Sequence, residues 1–232
     1  MYLYETHLHT YPVSQCGAAS SRETVEAYKN AGYAGIFVTN HFLDGNIRLE
    51  VRQKSYEEQI EYYFSGIEEA EEIGKEIGLD VFPGIEMSYG GTDFLVYGID
   101  KEWCLAHPNM HRMPKTQLLK LLMDEGALVI QAHPFREAAY IDHIRLFPRC
   151  IHGVEVYNAN RSEFENKLAE QYAENYELIR FAGSDNHVAG KQRLFGGMAT
   201  ETPIKSVEDF ISRVLTGVAK PFKREEKKIE LL

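Results

Sequence analysis

Nearly every apolar, strand-like run in this 232-residue chain stops on a histidine or a carboxylate: His9, His41, Glu86, His133 and Asp185. A polar side chain buried without a partner costs free energy, so such residues are not scattered through a core at random. Strand-like and helix-like segments alternate from end to end, which implies a mostly parallel sheet covered by helices. In a parallel barrel the carboxyl ends of the strands meet around one rim. In an open sheet they lie along an edge and few converge. Five polar ends therefore favour closure. The expectation is an α/β chain of about seven strands closed as a TIM-like barrel, a single domain over residues 1–232.

Local signals place the elements. Residues 2–9 read as a first strand. Ser20-x-x-Glu23 is a capping box for a helix that stops at Gly32, and residues 35–41 form a buried strand. Ser55-x-x-Glu58 opens a longer helix with Ile60, Tyr63, Phe64, Ile67 and Ile73 on one side. Residues 80–88, 93–99, 127–133, 153–158 and 179–185 read as further strands, with helices over 115–125 and 162–175. Val207, Phe210, Ile211, Val214 and Leu215 recur at helical spacing behind Ser206-x-x-Asp209. The charged tail, 223–232, either frays or docks.

Composition narrows the function. A net charge of −10 disfavours an extended nucleic-acid surface, although bound cations would invert the local field around a small anionic substrate. No apolar run approaches the roughly 20 residues of a membrane span. The first residues lack the basic and apolar regions of a secretory signal. Cys16, Cys104 and Cys150 are an odd number without paired spacing, as expected of free thiols in a reducing cytoplasm.

His7-Leu8-His9 places two imidazoles on one face of a strand, where both can reach one ion. Asp185 and His187 are also two apart. Each polar end taken singly fits a helix cap, a satisfied core histidine or a turn; the set as a whole fits a metal cluster.

These residues resemble the signature of the PHP (polymerase and histidinol phosphatase) superfamily. The resemblance rests on His-x-His-Thr (His7, His9, Thr10), a His after the second strand (His41) and Gly-x-Glu (Glu86). Ala-His-Pro (His133) and Gly-Ser-Asp-x-His (Asp185, His187) complete it, in family order from residue 7 to 187. It implies a distorted (β/α)7 TIM-like barrel with two or three divalent ions (Zn, Mn or Fe) at its rim, and hydrolysis of a small phosphate ester through a metal-activated hydroxide. On this resemblance His7, His9, Glu86 and Asp185 would hold a first ion, and Glu86 would bridge to a second held with His133. Asp93 stands where many members carry a His, an exchange that tilts the second site from Zn toward Mn or Fe. His41 and His187 would belong to a third ion, and His187 with Asp185 is the pair expected at the reaction itself. Members usually add an Asp or His shortly after His-x-His. This chain offers Ser14, Gln15 or Cys16 instead, and a Cys there is either a thiolate ligand or an ordinary buried thiol.

Around that set, Arg136 and Arg193 could grip phosphate and Asn158 could face the pocket. Glu5 could orient a ligand histidine, and Glu155 could be a buried, paired carboxylate. His107 and His111, separated by Pro108, read as a surface segment, and His143 and His152 as structural. Specificity is expected in loops 43–54, 101–114 and 135–149, and the oligomeric state is open. Two other readings remain: an amidohydrolase-type C–N hydrolase, which would call for a bridging lysine, and a non-catalytic metal-binding module.

Overall fold

Three helices begin where the sequence marks them. Ser20, Ser55 and Ser162 each accept from the backbone N–H three residues on, while Glu23, Glu58 and Glu165 return the bond to the cap. Helix α1 (Ser21–Asn30) and helix α3 (Tyr56–Ile77) start this way. Ile60, Tyr63, Phe64, Ile67 and Ile73 line the buried stripe of α3. The computed structural model describes residues 1–225 and 228–232; of the tail 223–232, residues 226 and 227 lie outside the described residues.

In order, the elements are β1 (Tyr2–Glu5), α1, β2 (Gly35–Val38), α2 (Leu49–Arg52), α3, β3 (Asp80–Pro83), β4 (Ile85–Tyr89), β5 (Thr92–Tyr97), α4 (Lys101–Ala106) and α5 (Lys115–Asp124). There follow β6 (Leu128–Ala132), β7 (Gly153–Asn158), α6 (Glu163–Asn175), β8 (Ile179–Gly183), β9 (Leu194–Thr200), α7 (Val207–Leu215), β10 (Lys220–Glu225) and β11 (Lys228–Leu231). The strands form two mixed sheets, one ordered β11-β10-β9-β1-β2-β3 and the other β4-β5-β6-β7-β8.

The fold is α/β as expected, but its strands are more mixed in direction than the mostly parallel sheet that the sequence suggests. Two local features account for the difference. The segment 80–88 is two strands that meet at Gly84, where the chain passes so close to the end of β2 that a Cβ would sit 2.7 Å from Thr39 Cγ2. The chain changes sheet there. Gly90 and Gly91 then both take positive φ, 57° and 88°, in a two-residue hairpin that sends β5 back antiparallel along β4. At the other end, β9 and β10 add antiparallel strands beyond β1, built from a segment whose glycines and charges hide its strand character.

The two sheets meet at two seams made of isolated bridges. At one, His9 N–H donates to Asn186 O at 2.9 Å; at the other, Phe42 N–H donates to Glu86 O at 2.8 Å. Between the sheets lies an inner core of Tyr4, Phe37, Leu95, Tyr97, Ile130, Phe181 and Met198, plugged by Phe210 of α7. No helix of the described residues is long and apolar enough to cross a membrane.

Gly197, at φ 150°, is where β9 crosses β1 most closely, and a Cβ there would collide with the Tyr4 carbonyl. Gly197→Ala is expected to lower unfolding free energy by about 1–3 kcal/mol, the usual penalty of overpacking. An unchanged urea midpoint would remove this contact from any structural role.

Candidate metal centre

His7 and His9 project from the chain just beyond β1, and their rings are aimed from behind. Glu155 on β7 places Oε1 3.0 Å from His7 Nδ1. A carboxylate can only accept, so Nδ1 carries a proton and Nε2 is turned toward Glu86 and Asp185. Ser14 donates its single proton to Asn40 Oδ1 at 2.9 Å, and therefore accepts from His9 Nδ1 at 3.1 Å. His9 is turned the same way. Glu5, expected to orient a ligand ring, instead fixes the backbone. It accepts from the N–H groups of Thr6, His7 and Ser184 at 3.0, 2.9 and 2.9 Å, and from the hydroxyls of Tyr28 and Ser184. Those bonds tie the end of β1 to the end of β8.

Glu86 sits at the centre. Its carboxylate lies 3.1 Å from His7 Nε2, 3.4 Å from His9 Nε2, 2.7 Å from His41 Nδ1 and 3.5 Å from His133 Nε2. Asp185 lies 3.5, 3.3 and 3.9 Å from the Nε2 atoms of His7, His9 and His133. Asp93 is 3.8 Å from His133 Nε2. The structure thus brings the residues expected to bind metal to one place, and all of them except Asp93 fall, with Cys16, into three overlapping groups. These are His7, His9 and Asp185; His7, Glu86 and His133; and His9, Cys16, His41 and His187. Within each group the ligand atoms lie within 4.8 Å of one another.

The unsatisfied atoms test whether cations fit. His41 Nδ1, Glu86 Oε2, Asp93 Oδ2 and both ring nitrogens of His133 are buried and make no hydrogen bond. His41 Nδ1 and Glu86 Oε2 approach to 2.7 Å without hydrogen-bond alignment, as two ligands of a common ion would. Each such atom would otherwise cost about 1–3 kcal/mol. The donor set of imidazole and carboxylate suits Zn, Mn or Fe. His133 and Asp185 also hold positive φ, 24° and 52°, a strained backbone that surrounding structure must enforce.

Electrostatics sort the ligands. Burial, reinforced by His41 and His187, lowers His9 to about 3, so its ring is neutral and ready to bind. Burial also disfavours protonated His7, but Glu155, Asp185 and Glu86 outweigh it and hold His7 well above the usual imidazole range. Burial would raise Glu86 and Asp185; the surrounding imidazoles hold both well below the carboxylate range. Burial pushes the Cys16 thiol up, and His187 and His41 outweigh it, bringing Cys16 down to about 6.

Above the cluster opens a cleft of about 610 Å3, lined by Asp44, Arg52, Arg136, Tyr140, Arg161 and His187 among others. Arg136 reaches the rim with Nη2 3.1 Å from Asp93 Oδ2. Arg193 lines a smaller side cleft that shares His187. Asn158 lies beneath the site, its amide donating to Glu155 Oε2 at 2.8 Å, and is not on the cleft wall. Of the three loops expected to set specificity, 43–54 and 135–149 contribute to the cleft and 101–114 does not. His107 stacks on Trp103 at 3.9 Å and His111 on Tyr56 at 6.1 Å, outside the metal groups. Arg52, at the end of α2, and Arg161 went unread in the sequence, because an isolated arginine carries no spacing signal.

No protein-family model matches the sequence, and no curated protein sequence matches it. Its fold is similar to that of a two-domain protein from Bacteroides vulgatus containing a predicted PHP-like metal-dependent phosphoesterase. The TM-score is 0.72 at 13% identity, over 98% of this chain and 66% of that one. The chain thus spans just under two thirds of that protein's length. The fold is also similar to PsfC from Pseudomonas syringae, with TM-score 0.63 and 17% identity over 91% and 88% of the two chains. An amidohydrolase from Chromobacterium violaceum, with bound sulfate and no metal, gives TM-score 0.53 and 17% identity over 93% and 96%. At these identities the likeness is one of fold, and it is the fold of PHP-like metal-dependent phosphoesterase structures.

The raised His7 fixes a sign. The surrounding carboxylates favour the protonated ring in the ion-free protein, and a cation needs the neutral ring, so binding competes with that proton. Affinity should rise with pH until the elevated pKa is passed, and fall about tenfold per expelled proton for each pH unit below it. Calorimetric titration with Zn in two buffers of different ionisation enthalpy should give different apparent enthalpies. Equal values would mean that no proton leaves.

Proposed function

We propose that this chain is a metal-dependent phosphoesterase acting on a small phosphate ester in the cleft above Glu86. The observation that carries the reading is the set of buried ligand atoms without hydrogen bonds around Glu86 at the floor of an arginine-lined cleft. The two sheets, joined at their seams around one inner core, are read as the walls of a distorted (β/α)7 barrel with this centre at its rim. The free cysteines fit a cytoplasmic protein.

Two or three divalent ions (Zn, Mn or Fe), held by His7, His9, His41, Glu86, Asp93, His133, Asp185 and His187, would polarise phosphoryl oxygens and acidify water. The protein's own residues supply the rest. Arg136, anchored by Asp93, presents a guanidinium at the rim, where it can hold non-bridging phosphate oxygens. Arg161 and Arg52 extend the positive lining toward the cleft mouth. Arg193, in the adjoining side cleft, would serve a larger leaving group. Asn158 serves substrate indirectly, by holding Glu155 and through it His7. His187 donates Nδ1–H to the Asp185 carbonyl at 2.8 Å, which leaves one free nitrogen. That nitrogen can protonate the departing oxygen or hold a cation, but not both. The general-acid role belongs to the state in which only the inner groups are filled.

Amidohydrolase-type C–N hydrolysis is the second reading, favoured by the similar fold of an amidohydrolase. Against it, Glu86 occupies the centre where a bridging lysine would be required. The buried Lys115 is instead paired with Asp44 at 2.8 Å.

Chelator-stripped protein should be inactive and should regain phosphatase or phosphodiesterase activity with Mn, Zn or Fe across a panel of esters. Turnover confined to amides would transfer the assignment to the second reading. Loss of a ligand removes charge stabilisation at the reacting centre. His9→Ala and Asp185→Ala should each lower kcat by at least about 100- to 1000-fold with the circular-dichroism spectrum retained. Wild-type turnover in either purified variant would refute the proposal.

A further inference from the structure

The outer group of the cluster differs in chemistry from the two inner ones. The inner groups combine imidazole with Glu86 or Asp185, whereas His9, Cys16, His41 and His187 combine imidazole with sulfur. Cys16 is brought there by a folded turn. Ser14 N–H donates to Thr10 O at 3.1 Å, Gly17 N–H to Ser14 O at 3.1 Å and Gln15 N–H to Asn46 O at 3.0 Å. Ala18 N–H donates to the carbonyl of His187 itself at 2.8 Å. Gly17 lets the turn lie flat, since a Cβ there would come within 2.9 Å of Thr10 C and Tyr11 N.

The same turn disposes of the other two candidates. The Ser14 hydroxyl is fully used by Asn40, His9 and the N–H of His41, and Gln15 is exposed away from the rings. His41 links this group to the inner ones: it belongs to the group with Cys16, and its Nδ1, buried and without a hydrogen bond, lies 2.7 Å from Glu86 Oε2.

We propose that Cys16 is a thiolate ligand of the outer ion, so that the cleft holds unlike cations: a soft site of sulfur and imidazole beside hard sites of carboxylate and imidazole. This rests on reading the cluster as a metal centre. A thiolate favours Zn or Fe over Mn, and carboxylates accept Mn. The outer site should therefore discriminate against Mn where the inner sites do not.

Cobalt(II) tests this without reference to hydrolysis. Metal-stripped full-length protein titrated with Co(II) under anaerobic conditions should develop a near-ultraviolet thiolate-to-cobalt charge-transfer band. The band should be absent in Cys16→Ser and intact in Cys104→Ser, whose sulfur lies deep in the core. Loss of even an outer-sphere partner typically costs about 10- to 100-fold in metal affinity, so Cys16→Ser should weaken Zn at one site by at least roughly 100-fold and leave Mn binding unchanged. If that variant fails to fold, the wild type still decides: Zn should slow iodoacetamide labelling of Cys16 by at least roughly tenfold, reversibly with chelator. A band that survives in Cys16→Ser, bound cobalt with no band, or labelling indifferent to Zn would each overturn the thiolate site while leaving the phosphoesterase reading standing. A chain that takes up no Co, Zn or Mn by elemental analysis would overturn both.

Discussion

A carboxylate buried among four imidazoles is the constraint around which this molecule is arranged. Glu86 is almost fully buried, and His7, His9, His41 and His133 all stand within 3.5 Å of it. A buried charge must be compensated locally, and the compensation comes from segments far apart in the chain. Glu86 lies on the seam where the second sheet meets β2, and Asp185 lies just past β8 on the seam with β1. The seams are isolated bridges held by a few backbone hydrogen bonds. The ligands lie along them, so cations held there would clasp the two sheets together as well as serve chemistry.

Rigidity in the cluster comes from groups that never reach the cleft. Glu155 holds the ring of His7, the backbone N–H of His133 and the amide of Asn158 with one carboxylate. Ser14 joins His9, Asn40 and His41 with one hydroxyl. Glu5 binds the backbone of both seam strands at once. Gly183 leaves room for this arrangement: a Cβ there would stand 2.6 Å from both Glu155 Oε1 and His7 Cβ. Such outer partners fix which nitrogen of each ring is free, and so determine ion affinity as much as the ligands do.

The cleft has two characters. Its floor is anionic and imidazole-rich, and its walls carry Arg52, Arg136 and Arg161 on a chain whose net charge is −10. Positive groups are concentrated where a phosphate would sit, so recognition does not depend on the overall charge of the protein. The step from inner carboxylates to the Cys16 sulfur adds a gradient in ligand softness across the same few ångströms.

The strand ends His7, His9, His41, Glu86, His133 and Asp185 were legible in the sequence because a polar residue closing an apolar run is costly wherever it is buried, whatever the topology. Capping boxes at Ser20, Ser55 and Ser162 were legible for a similar reason: a helix start is a local hydrogen-bonding event. Strand direction was not, since parallel and antiparallel neighbours present the same alternation. The Gly90-Gly91 hairpin is what turns β5 antiparallel along β4. The neighbours of Glu155, Ser14 and Cys16 were likewise decided by tertiary structure alone. Residue type gives a side chain its possible partners, but which of them it meets depends on long-range packing, and packing brought Glu155 to His7 across 148 positions of sequence.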